Sequence, residues 1–329
     1  MDLELKQELH GRDLACWQEL LQQEGLEPDR DTDRIALLWD QDTLAATGSR
    51  RDNLFKCIAV RDSYQGQDLT ANILSALRAD AFEAGFHQLF LYTKPRNQYL
   101  FQSLFFYPVA RTREVLLMES RRHGIEEFLA DFPDNTTPGT VGAAVMNCNP
   151  FTRGHRYLVE TAAAACDQLY VFVLSEDRST FSAAQRMDMV RLGTRDLPNV
   201  TVLPTGPYLI SNATFPTYFL KDRDQAASIH CRLDIEIFIQ YFVPKFGITR
   251  RFVGTEPLSP MTALYNDALR QELPRRGVEL IEIPRLESRG VPVSATRVRQ
   301  CIDQGNSGAL SEFLPDTTLE YLKNHNLIG

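Results

Sequence analysis

The chain has 329 residues, 43% hydrophobic and 24% charged, an ordinary globular composition long enough for two domains, each with its own core. Its 35 Lys and Arg against 43 Asp and Glu give a formal net charge of −8, which argues against a broad nucleic-acid footprint and against anionic membrane surfaces, so any phosphate site must be local. The six cysteines are scattered, with no C-x-x-C pair and no zinc spacing; they read as reduced thiols, and no protein-held metal is expected. MDLELKQELHGRD at the N-terminus has no apolar signal core and no long apolar run follows, so a cytoplasmic protein without a membrane span is expected, in which the N-x-T triplets at Asn135, Asn199 and Asn212 carry no sugar.

In chain order, strand periods predict strands over 34–40, 54–60, 87–93 and 113–119, with a helix over LTANILSALRADAFEAG between the second and third. FPDNTTPG, from Phe132, has linker chemistry. The boundary is set there, giving domains 1–131 and 132–329. Beyond it strand-like and helix-like segments alternate: strands over 140–146, 168–175, 199–204, 250–256 and 278–284, with helices from His155, from Ala183, through 229–246 and near 261–273. That alternation predicts a parallel sheet with helices on both faces and a ligand beyond the carboxyl ends of its strands.

Two segments fall at such ends. In NPFTRGH, residues 149–155, a glycine lets the backbone approach a ligand, and the following helix offers free N–H groups to a phosphate. His155 can donate to an anion there; a helix capped by Thr152 with His155 on its surface is the alternative. In VPVSATRVRQCI, residues 291–302, Arg297 and Arg299 sit in the first turns of a helix, where they oppose its dipole and suit a bound polyanion better than a bare helix. A solvated basic face is the alternative.

Thr152-Arg153-Gly154-His155 and Val293-Ser294-Ala295-Thr296-Arg297-Val298-Arg299 resemble the two signatures of the nucleotidyltransferase superfamily. The longer strings MNCNPFTRGHRYLVE, NATFPTYFLK, RRFVGTEP and VSATRVRQ, together with the N-terminal domain, are similar to the citrate lyase ligase family over essentially the whole chain. The resemblance implies a GNAT-like α/β domain followed by a Rossmann-like nucleotidyltransferase domain. It implies ATP-dependent acetylation of the prosthetic-group thiol on the acyl carrier subunit of citrate lyase, through acetyl-adenylate, with acetate as co-substrate and Mg²⁺ arriving with the triphosphate. His155 and Thr152 would contact the triphosphate beside the Gly154 backbone, and Ser294, Thr296 and Arg299 its β- and γ-phosphates. Gly254, Thr255 and Glu256 would face the nucleoside; a plain strand-ending turn is their alternative. Asn149 stands where many nucleotidyltransferases have aspartate, and Met146 where they often have glycine. Arg186 would lie over the phosphates or be a simple surface arginine. Ser211, Thr214 and Lys221 are candidates for the acetate or thiol pocket, with Phe215, Tyr218 and Phe219 as core.

YLFQSLFFYPVARTREVLLME resembles the closing strand, helix, Phe-Tyr-Pro-strand order of GNAT-type acetyltransferases. The stretch Gln65-Gly66-Gln67-Asp68-Leu69-Thr70 falls at that family's pyrophosphate loop, with Asp68 and Thr70 in place of glycines. A carboxylate there repels pyrophosphate and a side chain blocks backbone approach, so a non-catalytic domain is expected. Two other functions stay open at the level of sequence: an adenylyltransferase acting on a phosphorylated small molecule such as phosphopantetheine, and a non-enzymatic acyl-coenzyme-A-responsive binding module.

Overall fold

The computed structural model describes all residues except 177–178, 210–217, 219–225, 257–259, 289 and 329. The described residues form two compact units, one of Met1–Glu127 with part of Pro216–Ile229 and one drawn from Phe128–Phe215 and His230–Gly329.

The first unit is an α/β domain on one mixed sheet. It runs β1 (Asp2–Lys6), α1 (Gly11–Gln23), β2 (Arg34–Asp40), β3 (Thr43–Arg51), β4 (Leu54–Val60), α2 (Leu69–Glu83), β5 (Phe90–Thr93), α3 (Gln98–Ser103), β6 (Tyr107–Arg111) and β7 (Leu116–Glu119). These strands make one sheet in the order β1-β2-β3-β4-β5-β7-β6, antiparallel except where β4 meets β5. That parallel pair holds only at Leu54↔Phe90 and Phe55↔Leu91. Beyond it the strands part. α2 buries Leu69, Ile73, Leu74, Leu77 and Ala81 along one face, as 3.6-residue periodicity dictates. Gly48 of β3 makes room for that helix, since an added Cβ would come within 2.5 Å of Ile73.

The second unit is Rossmann-like. After α4 (Gly124–Ala130), which leads into it, come β8 (Val141–Met146), α5 (Arg153–Ala164), β9 (Gln168–Val173), α6 (Ala183–Thr194), β10 (Val200–Pro204), and α7 (Ala226–Ile237), which continues through a π-helical turn at Phe238–Phe242 into α8 (Val243–Phe246). Then follow β11 (Arg250–Gly254), α9 (Pro260–Glu272), β12 (Glu279–Ile283), a small hairpin of β13 (Glu287–Ser288) and β14 (Val291–Pro292), α10 (Ala295–Asp303), α11 (Leu310–Phe313) and α12 (Asp316–Asn324). Five strands form a wholly parallel sheet in the order β10-β9-β8-β11-β12. The chain moves outward from β8 first on one side and then on the other, so the β8/β11 junction is the switch point where such sheets bind ligands. β8 and β11 pair only at Arg250↔Gly142 and Arg251↔Ala143. Their carboxyl halves diverge and open a crevice.

Small residues in β8 let the layers close: a Cβ on Gly142 would stand 2.6 Å from the Phe252 ring. Phe151, fully buried, anchors the loop after β8 by packing against α6 at Gly193, where an added Cβ would meet its ring at 2.4 Å. Among the described residues no helix is long and apolar enough to cross a membrane, and all six cysteines are free.

Gly193→Ala is therefore expected to destabilise the protein by roughly 1–3 kcal/mol through overpacking, even though alanine favours a helix over glycine by about 1 kcal/mol. Urea unfolding of both forms measures it; a midpoint equal to or above that of the parent chain contradicts the contact.

Candidate active site

The loop joining β8 to α5 is built around a reciprocal cap. Thr152, extended and buried, is the N-cap of α5. Its Oγ1 accepts from the His155 backbone N–H at 3.3 Å, while His155 Nδ1 accepts from the Thr152 backbone N–H at 3.0 Å. Two orphan donors of the helix end are satisfied at once, histidine taking the part usually played by glutamate or glutamine. Because Nδ1 accepts, the ring proton of the neutral imidazole resides on Nε2, leaving Nε2 as a donor. The ring stacks on Phe151 at 5.9 Å between centroids. Burial, and then the nearby positive charge of Arg285, push its pKa down to about 4. The Thr152 cap expected of this helix is present, and the His155 side chain takes part in it.

A cavity of about 690 Å³ opens at the strand ends, lined by Thr152, Gly154 and His155 on one side and by Ser294 and Thr296 on the other, with Gly254 and Glu256 beside them. Two segments 139 residues apart in the chain, Thr152–His155 and Ser294–Thr296, meet across it. Ser294 caps α10, accepting from the Arg297 N–H at 3.3 Å. Gly154 needs no special backbone, and a Cβ there would stand 3.4 Å from the Val293 carbonyl, an ordinary contact. Packing within the protein therefore does not require glycine at this position; close approach of a ligand would.

The remaining sequence-predicted residues sit outside the lining. Arg299 reaches back to donate to the Asn149 carbonyl at 2.6 Å and to Thr296 Oγ1 at 3.1 Å, tying α10 to the first loop. Asn149, 9% exposed, uses its side-chain oxygen to accept from the Phe181 N–H at 3.1 Å. Arg186 is neither over the cavity nor on the surface. It is wholly buried, its guanidinium donating to the carbonyls of Phe181, Asn147, Leu174 and Glu176 and to Asn147 Oδ1. A guanidinium brings five donors, and four loop carbonyls draw them inward. Thr255 accepts from Arg285 through both its carbonyl and its hydroxyl. Arg297 lies over the Phe313 ring at 5.4 Å, a cation–π contact that accounts for it without an anion. Ser211, Thr214, Lys221, Phe215 and Phe219 lie outside the described residues. Tyr218 is buried in the first unit, its hydroxyl donating to the Tyr92 carbonyl at 2.8 Å.

Sequence reasoning missed Arg285, which pairs with Glu256 and sets the charge beside His155. It stands two residues past the end of β12, so the rule that ligands gather beyond strand ends could have found it. It also missed Asn266, whose side chain donates to the Gly254 carbonyl at 3.0 Å; nothing in a helical sequence marks such a residue.

The first unit has its own cavity, about 520 Å³, where β4 and β5 part. Val60, Tyr92, Gly66, Asp68 and Thr70 are among its walls. Asp68 precedes α2 in the left-handed region, with φ of 56° and no side-chain cap bond.

A parallel sheet whose strand order reverses beside a capped helix N-terminus, with a second helix N-terminus facing it, defines a nucleotide-binding α/β domain. The profile of the citrate lyase ligase C-terminal domain matches residues 141–322. The citrate (pro-3S)-lyase ligase of Klebsiella pneumoniae is 40% identical over 308 residues, 92% of this chain and 90% of that protein. That of Escherichia coli strain K12 is 37% identical over 98% of this chain and 90% of its own length, and that of Haemophilus influenzae 35% identical over 94% and 95%. The chain belongs to the citrate lyase ligase family.

With a folded-state pKa near 4 against the ordinary 6.5, the unfolded chain takes up the His155 proton first as pH falls. His155 thus contributes stability that is complete above about pH 6.5 and is lost on acidification toward pH 4, at most roughly 3 kcal/mol. Two-bond ¹H–¹⁵N correlation spectra are expected to show a neutral ring with the proton on Nε2 at pH 7 and titration near 4. An Nδ1–H tautomer, or titration near 6.5, contradicts the cap.

Proposed function

We propose that this protein is an ATP-dependent, AMP-forming acid–thiol ligase that acetylates the prosthetic-group thiol of the acyl carrier subunit of citrate lyase. The observation that carries the reading is the meeting of the two signature segments across one cavity, in a chain of this family. An acetate oxygen attacks the α-phosphate of ATP and pyrophosphate leaves, giving acetyl-adenylate. The carrier thiol, as thiolate, then attacks the acetyl carbonyl; a thioester forms and AMP leaves.

The side chains act by holding charge in place. The N–H groups at the start of α5, beside Gly154, and the Nε2–H of His155 offer donors to phosphate oxygens. Thr152 keeps that ring in its tautomer. Ser294 and Thr296 take the β- and γ-phosphates as charge builds on departing pyrophosphate, with Arg299 holding Thr296 from behind, and Gly254 and Glu256 border the nucleoside while Thr255 holds Arg285. Arg186 and Asn149 act through the loop they hold. Mg²⁺ enters with the triphosphate, whose oxygens would carry most of its coordination; among the described residues no cluster of three or more His, Cys, Asp or Glu forms.

We place the domain boundary between residues 131 and 132, and the protein in the cytoplasm, where ATP is present and free thiols such as its six cysteines persist. The first unit is read as a non-catalytic GNAT-like domain that docks the carrier or its coenzyme-A-derived arm. Asp68 and Thr70 on its cavity wall are the reason to deny it catalysis.

Acetylation of thiol-form carrier, followed by intact-protein mass spectrometry in the presence of ATP and acetate, tests the assignment. A stable adenylylated small-molecule product, or no turnover at all, would overturn it. His155→Ala is expected to lower turnover by about 10²- to 10³-fold, the usual cost of losing one such contact; a folded His155→Ala protein with parental activity would remove His155 from the chemistry. In the first unit, Asp68→Gly is expected to raise affinity for acetyl-coenzyme A by removing a carboxylate from the pyrophosphate position, as read by calorimetry. Unchanged binding would leave the acidic loop without a role in silencing that cavity.

A further inference from the structure

Arg251, the second residue of β11, stands opposite Ala143 in the last register pair before β8 and β11 diverge. It therefore lies where the crevice begins, and it lines the same cavity as His155. Its side chain is wholly buried, with the guanidinium 4.4 Å over the ring of Phe238 in the π-helical turn. Neither Nε nor Nη1 has a hydrogen-bond partner among the described residues. Asp234 is also buried, 7% exposed, but accepts from the Tyr265 hydroxyl at 2.5 Å, and Tyr265 shares the cavity wall. A guanidinium stays charged in a protein, and buried donors left without acceptors are rare in native structures. Such a group is explained when a ligand brings the acceptor.

The phosphate-binding features of the cavity are elsewhere, at the starts of α5 and α10. Arg251 is where β8 and β11 part, over the Phe238 ring and near a carboxylate that disfavours a multiply charged ligand. One delocalised negative charge on a small group suits the place.

We propose that Arg251, with Tyr265 beside it, is the carboxylate-binding site of the cavity and holds the short monocarboxylic acid substrate. The assignment rests on the ligase reading above and adds to it the residue that selects the acid.

The test uses the full chain and measures pyrophosphate exchange into ATP, varying acetate at saturating ATP and then ATP at saturating acetate. In Arg251→Gln the KM for acetate is expected to rise about tenfold to a hundredfold, as loss of a charged hydrogen bond implies, while the KM for ATP stays within about twofold. Arg251→Lys keeps the charge and is expected to fall between Arg251→Gln and the parent, and it serves alone if Arg251→Gln does not fold. Acetate should raise the melting temperature of the parent protein in the presence of a non-hydrolysable ATP analogue, as ligand linkage requires, and do so less for Arg251→Lys. A raised ATP KM with unchanged acetate KM would assign Arg251 to the nucleotide and overturn the proposal. So would parental values for both constants in either variant. If the parent chain shows no acetate-dependent exchange, the ligase reading itself fails, a result separate from these.

Discussion

The site depends on a pair of hydrogen bonds exchanged between Thr152 and His155. They begin α5, satisfy the two backbone donors that would otherwise be unpaired at its end, and fix which nitrogen of the imidazole carries the proton. Everything around the loop preserves that geometry. Phe151 anchors it in the core against α6, Arg186 gathers the carbonyls of neighbouring loops, and Arg299 ties it to the second signature helix through the Asn149 carbonyl. The half-buried, neutral ring keeps its proton on Nε2 across the physiological pH range. Burial, and after it the positive charge of Arg285, disfavours the imidazolium.

Both units open their cavities in the same way. A parallel strand pair holds for two residues and then separates, β4 from β5 in one and β8 from β11 in the other. The freed strand ends and the helix start after the first strand of each pair supply the walls. What differs is the charge at that helix start: Asp68 before α2, and Gly154 with a neutral His155 at α5.

The parallel sheet, its strands and the two signature segments were legible in the sequence because each rests on short-range pattern: alternating apolar runs, a threonine cap, a serine cap. β1 and β3 were not. DLELK is exposed along an edge, and TLAATGSRR carries a weak strand signal yet is buried as an interior strand of its sheet, where neighbours on both sides override propensity. Arg186 looked like a surface or phosphate-facing residue because sequence position at a helix start cannot show that four carbonyls converge on it. The roles of Arg285, Arg251 and Asn266 depend on contacts between distant strands and helices, which no local pattern records.

The account requires that a carboxylate attack the α-phosphate inside the cavity that holds His155. Turnover with oxygen-18-labelled acetate, ATP and thiol-form carrier, followed by mass spectrometry of the nucleotide product, tests that step directly. Transfer of one label from acetate into the phosphate of AMP is the predicted result, because the acetate oxygen that bonds to phosphorus stays there when the thiol displaces the adenylate. Label in pyrophosphate or inorganic phosphate, with none in AMP, would place the attack at a different phosphorus and contradict it.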